Sequence, residues 1–135
     1  MSSLSKIKQK QIYMSNFNKC SCEFIQIIVK EFPDDIDVIY AKNTIYALQK
    51  TNPRILIQYW LTYIYIPNKE SIHNLDISFI VNDDYKALEE FRGGEQVREV
   101  LVRLRQPISN LNDDIKKKAS TCILNMSKLS FLYFS

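Results

Sequence analysis

The sequence predicts an all-α domain, a compact bundle of five to six helices around a central apolar helix at about residues 53–66. Three observations predict it. With 2 Gly and 4 Pro in 135 residues, the chain lacks the turn material that a many-stranded sandwich or barrel uses. Apolar residues recur at intervals of three and four along most of the chain, the period of a helix face. And from Asn52 to Pro67 only Arg54, Gln58 and Thr62 interrupt the apolar side chains, so a helix there must be enclosed by other elements, apart from one seam spaced by four.

Residues 1–16 read as a polar, basic, mobile leader carrying Lys6, Lys8 and Lys10, with a single helical domain over 17–135. A first helix is expected from Asn18, where Phe24, Ile28 and Phe32 recur every four residues, and Pro33 ends it. Asp34 and Asp35 open a second helix, since carboxylates favour the positive end of the helix dipole. Val38, Ala41, Ile45 and Leu48 form its apolar face. The central helix comes next, with Asn52 as cap, Pro53 at the first position and Pro67 as stop.

A polar stretch, Asn68–Asp76, with room for one helical turn, precedes an apolar plug of Ile77, Phe79, Ile80 and Val81. Asn82-Asp83-Asp84 is placed to cap a short helix over 85–91, and Gly93-Gly94 marks a break. Glu95–Gln106 offers Val97, Val100, Leu101 and Leu104 at helical spacing. A strand also fits the alternation of Val100, Val102 and Leu104, but the helix is the better reading. Pro107 ends it, and Ile108–Asn112 is expected as a loop. The last helix, capped at Asn112 or Asp113, carries Ile115, Ala119, Cys122, Met126 and Leu129 on one face and Lys116–Lys118 near the other.

Composition bounds the setting. The chain holds 46% hydrophobic and 24% charged residues, an ordinary globular balance. Its excess of Ile, Lys, Asn and Tyr is what AT-rich codons supply. Net charge is only +3, but it is uneven: residues 1–30 carry five Lys and one Glu, whereas 31–85 carry four bases and eight acids. Three cysteines, an odd number, argue against a disulfide framework and for a reducing, intracellular compartment. No secretory signal is legible, and the central apolar stretch is short of the roughly 20 residues that cross a bilayer.

Residues that carry catalysis are sparse. His73 is the single histidine, with no ligand partner at metal spacing. Cys20 and Cys22 point away from each other on a helix, and buried apolar thiols are the simpler reading. The acid pairs Asp34/Asp35, Asp83/Asp84 and Asp113/Asp114 each precede an apolar-periodic segment, where capping accounts for them. Arg92-Gly93-Gly94-Glu95 lacks the second half of a phosphate loop. No enzyme, metal or cofactor is therefore expected.

The run Phe24 through Phe32-Pro33-Asp34-Asp35, the Asn52-Pro53 start of an aromatic-rich helix, Asn82-Asp83-Asp84-Tyr85 and the final Asp113-Asp114-Ile115-Lys116 helix together resemble a group of small uncharacterised helical proteins of large nucleocytoplasmic DNA viruses. The likeness runs from about residue 17 to the end and departs at Gly93-Gly94 and in the basic leader. It implies a virus-encoded helical protein of the host cytoplasm or virion, with no catalytic residues to carry over. The functional expectation is a non-enzymatic interaction protein, a minor structural or capsid-associated component. Its partners would be capsid, other viral or host proteins, or further copies of itself. The residues expected to meet them are Lys6, Lys8, Lys10, Arg98, Arg105, Lys116, Lys117, Phe131, Tyr133 and Phe134. The alternative is a regulatory module that binds nucleic acid or a host protein through the basic 92–118 region, nucleic acid being the less favoured partner.

Overall fold

The computed structural model describes residues 3–135, and every regular element in them is helical. Helix α1 spans Ser3–Glu31. It is continuous through residues 3–16, which were expected as a mobile leader; Met1 and Ser2 lie outside the described residues. The physical reason is local. Residues 3–16 contain neither Gly nor Pro, their Lys, Gln and Met are good helix formers, and Tyr13 and Met14 pack against the core. Helix α2, Ile36–Thr51, starts where the sequence places it: the Asp35 carboxylate accepts from Asp37 N and Val38 N at 2.8 and 3.1 Å. Its buried residues are Val38, Ala41, Ile45 and Leu48, the expected face.

The central segment differs in detail from the single expected helix. Asn52 closes α2 through its backbone N–H to Leu48 O rather than capping the next helix, and Pro53 occupies the cap position. Helix α3, Arg54–Tyr59, passes into a π-helical turn, Trp60–Tyr65, and a 3-10 turn, Ile66–Asn68, before α4, Lys69–His73. Pro67 therefore does not stop the helix. It withholds an N–H from the preceding turn and its ring crowds the carbonyl four residues back, so the ladder widens, with Ile66 N–H reaching Leu61 O. Asn68 covers one freed carbonyl, its Nδ2 donating to Ile64 O at 2.8 Å. The dryness of the segment matches the expectation except at its end: Ile55, Leu56, Ile57, Trp60, Ile64 and Tyr65 are buried, while Arg54, Gln58 and Thr62 form the exposed seam, which Ile66, 54% exposed, continues.

The second half is built from short pieces. Helix α5, Phe79–Asn82, buries Phe79 and Ile80, and a 3-10 turn succeeds it at Lys86–Glu90. Asp83 and Asp84 accept from the backbone N–H groups two residues on, of Tyr85 and Lys86, but the cap position they were expected to fill belongs to Tyr85, at φ 54° and without a side-chain cap bond. Helix α6, Gly94–Arg103, buries Val97, Val100 and Leu101, which decides between helix and strand. Gly93 adopts φ +80°, and a Cβ on Gly94 would sit 1.9 Å from Leu88 O, so the pair serves a left-handed turn and a close approach. Pro107 does not end α6 before a loop. The chain kinks at Leu104, and Pro107 lies in the first turn of α7, Arg105–Ser109, where its missing N–H costs nothing. Helix α8, Asp113–Tyr133, is capped by Asn112, whose side chain accepts from Ile115 N at 2.9 Å.

Packing of α1 along α8 is the most extensive in the bundle. The two run antiparallel, with Lys10 Nζ 5.1 Å from the Tyr133 ring centroid. The segment beginning with α3 touches α1, α2, α6 and α8, which makes it the core element. Phe17, Trp60 and Ser127 form one layer across α1, the central segment and α8. The Phe17 and Trp60 rings meet edge to face at 6.0 Å, and Trp60 Nε1 donates to Ser127 Oγ at 2.9 Å. Ser127 in turn donates to Ile123 O, and Ser130 to Ile57 O. A second buried face of α8, Ser120, Ile123, Ser127 and Ser130, thus joins the expected one.

Two serine substitutions on that face are expected to act in opposite directions. Ser127→Ala leaves Trp60 Nε1 without an acceptor in the core and should lower stability by about 1–3 kcal/mol. Ser120 Oγ is buried with no hydrogen-bond partner, so Ser120→Ala should raise stability by about 0.5–1 kcal/mol. Urea unfolding monitored by Trp60 fluorescence reads both. Gly94→Ala, which drives a Cβ into backbone, should cost more than about 3 kcal/mol by the same assay.

Candidate interaction surface

Folding converts the uneven charge of the chain into a polar molecule. Every Asp and Glu falls within residues 23–37 or 70–114. The start of α1 and the end of α8, both free of acids, come together at one end, because α8 returns antiparallel to α1, and the end of α2 is brought beside them as α2 runs back along α1. Gln49 Nε2 donates to Asn18 O at 2.9 Å, and Cys22 Sγ lies 3.2 Å from Gln49 Oε1. Beyond that level α2 has ended and α3 has just begun. The first half of α1 then continues beside the end of α8, with the start of α3 against the last turns of α8, where Ser130 donates to Ile57 O, and α1 runs on past them. At 1.5 Å per residue, the 29 residues of α1 span roughly 43 Å against roughly 31 Å for the 21 of α8. The result is a two-helix arm.

The arm carries Lys6, Lys8, Lys10 and Lys128 exposed, with Lys19, Lys50 and Arg54 at its base, and no Asp or Glu side chain. It also exposes large apolar side chains: Leu4 (61%), Ile7 (53%), Ile12 (56%), Phe131 (52%), Leu132 (45%) and Phe134 (41%). Of the residues expected to meet a partner, Lys6, Lys8, Lys10, Phe131 and Phe134 are thus brought together in the open. Tyr133 is not among them. It is 6% exposed, belongs to the core and receives the Lys10 ammonium on its ring. Leu4, Ile7 and Ile12 escaped the sequence reading. The spacing of Met14, Phe17, Phe24 and Ile28 by three, seven and four was the available signal that the core face of α1 extends into the leader.

The other expected residues lie elsewhere and have structural partners. Arg98 binds Glu89 at 3.0 Å and donates to Asp84 O at 2.7 Å. Arg105 donates to Asp83 O. The two guanidiniums hold the 83–84 loop, and Arg103 ties α6 to α2 through Asp37 while lying 3.9 Å from the Tyr40 ring centroid. Lys116 and Lys117 line a surface groove of about 480 Å³ beside Asp76, Asp113 and Asp114. Hydrogen bonds from Ser78 hold the Asp76 carboxyl below its ordinary range, with Lys116 contributing. Within the basic 92–118 region, Arg98, Arg103 and Arg105 are thus tied to the chain's own carboxylates and carbonyls, and Lys116 and Lys117 share their groove with three carboxylates.

His73 sits at the end of α4 with its Nε2 2.8 Å from Tyr65 Oη. Among the described residues, no group of three or more His, Cys, Asp or Glu is placed to hold a metal ion, and no helix is long and apolar enough to cross a membrane. Cys20, Cys22 and Cys122 are free and half-buried. Burial pushes the Cys122 thiol up to about 11, with the charges of Glu23 and Cys20 adding to the effect, and raises Cys20 in the same way. Tyr85, buried and beside Asp83, is likewise raised. No family model, curated protein or solved structure matches the chain.

The raised thiol sets a labelling prediction. Because the folded chain holds the Cys122 proton to higher pH, alkylation of Cys122 should be slow at pH 8 and rise with a midpoint near pH 11. In denaturant it should behave as an ordinary thiol, near about 8.5. The sign carries over to stability. The unfolded state ionises first, so this contribution is whole below the unfolded value and is lost as pH climbs towards the folded one. Mass spectrometry of alkylated peptides across pH 7–12, roughly the span between the two, gives the profile.

Proposed function

We propose that the protein is a non-enzymatic interaction protein that docks through the α1–α8 arm, the role of a minor structural or capsid-associated component in the viral setting that the sequence resemblance implies. The observation that carries this reading is the coincidence, on one projecting element, of cationic side chains without a carboxylate and of six large apolar side chains in water. Exposed apolar surface of that kind, rimmed by polar groups, marks sites of contact. The rest of the surface offers less. Arg98, Arg103 and Arg105 are engaged with carboxylates and carbonyls of the chain, and the enclosed apolar space in the core, about 40 Å³ beside Trp60 and Met126, is small for a ligand.

In cells that express the chain, the native protein should partition with a large assembly, and the double substitution Leu4→Ser, Leu132→Ser should move it to the free fraction by at least about tenfold, on the scale of 1.4 kcal/mol per decade. Both positions are solvent-exposed, so circular dichroism should stay unchanged. Equal partition of native and substituted protein would remove the arm from the function.

A further inference from the structure

We infer that the surface on which the arm docks is an anionic lipid interface, peripheral and without a spanning helix. The inference rests on the reading of the arm as the docking element and names its partner. Charge complementarity limits the candidates. Lys6, Lys8, Lys10 and Lys128 project with no Asp or Glu side chain in residues 1–22 or 115–135, so the partner is anionic. A second copy offering the same end would set lysines against lysines.

The apolar side chains then choose among anionic partners. Nucleic acid rewards the lysines through its phosphates, but it leaves Leu4, Ile7 and Ile12 in water. An acidic protein groove would reward both kinds of group only if they shared one face, and they do not. At about 100° per residue, Ile7 and Ile12 lie about 140° apart around α1, and Phe131 and Leu132 about 100° apart around α8. The apolar groups therefore encircle the tip. A fluid interface has no fixed shape to match, so it can receive such a tip end-on, with apolar groups on all sides in the acyl boundary and the lysines among headgroup anions. Lysine suits such a site, because its long stem can lie along the acyl boundary while the ammonium stays at headgroup level.

Purified full-length protein, sedimented with vesicles of phosphatidylcholine alone or with phosphatidylserine as about a third of the lipid, tests this at physiological salt. Binding to the phosphatidylserine vesicles and little to the neutral ones is expected. Each lysine near an anionic surface is worth about fivefold in partition, so Lys6→Gln, Lys8→Gln, Lys10→Gln together should weaken binding by about a hundredfold. Leu4→Ser, Leu132→Ser should also weaken it by at least tenfold at unchanged charge. All these positions are exposed, and Trp60 fluorescence confirms that each variant is folded. Failure of the native protein to bind anionic vesicles would overturn the inference. So would equal binding of a duplex oligonucleotide that the lysine substitutions abolish and the Leu4, Leu132 pair leaves intact, since the arm would then be a polyanion site. Neither result touches the docking role itself. If the cellular assembly survives detergent and still depends on Leu4 and Leu132, the arm binds a protein; if the substitutions never change partition in cells, the docking role falls with it.

Discussion

The layer of Phe17, Trp60 and Ser127 is the constraint that sets the remaining arrangement. Trp60 is 7% exposed, and an indole N–H taken so far from water needs an acceptor. Ser127 Oγ supplies it and passes its own proton to Ile123 O one turn back. That bond fixes the rotation of α8 about its axis. With Ser127 turned to Trp60, Ser130 reaches Ile57 O and Ala119, Cys122 and Met126 turn to α1. The small serines also let the helices approach closely, which puts Phe17 against the Trp60 ring. The antiparallel α1–α8 pair, and with it the projecting arm, is a consequence of this registration.

The π turn at Trp60–Tyr65 belongs to the same constraint. A proline seven residues after Trp60 breaks the regular ladder, and the widened turn shifts the facing of every residue after it. Trp60 and Ile64 stay buried, Tyr65 turns inward, and its hydroxyl meets His73 on the continuing helix. Tyr59 and Tyr63 instead face Phe91, with ring centroids 6.0 and 5.3 Å away, while Tyr59 Oη donates to Arg92 O at 2.6 Å. This outer aromatic contact holds the loop that ends in Gly93-Gly94. The glycine pair permits α6 to turn back on Leu88 and lie against α2. The short helices of the second half are thus placed from the central segment outward, and the arginines at 98, 103 and 105 fasten them.

Much of this was legible because it rests on period and capping. The faces of α2 and α6, the caps at Asp35 and Asn112 and the dryness of the central segment all come from residue type and spacing. Three things were not. The helical leader was hidden because lysines and glutamines at the surface read alike in a tail and in a helix. The passage through Pro67 was hidden because a side-chain amide, Asn68, made up for a lost backbone donor, which no local rule anticipates. The serine face of α8 was hidden because a hydroxyl counts as polar, although Ser120, Ser127 and Ser130 keep the helical spacing of a core face and two of them direct their hydroxyls to buried carbonyls. Of the candidate surface, the lysines and terminal aromatics were legible as chemistry. Their assembly into one arm, and the withdrawal of Tyr133 into the core, needed the antiparallel pairing of the first and last helices.

The energetics of the arm argue that it is not shaped for stability alone. Its first turn carries no acid, so the positive end of the α1 dipole faces further positive charge instead of a carboxylate. Lys6 and Lys10 stand four apart, a like-charge pair that costs about 0.2–0.5 kcal/mol in an isolated helix. Six large apolar groups remain wet, each forgoing about 25 cal/mol for every Å² that burial would remove from water. A glutamate at position 6 or a serine at position 4 would relieve these penalties without touching the core. An element that is locally unfavourable in both its charge and its hydrophobicity, and in which the two penalties are relieved by one anionic, apolar-accepting surface, is most simply understood as half of a contact whose other half lies outside the chain.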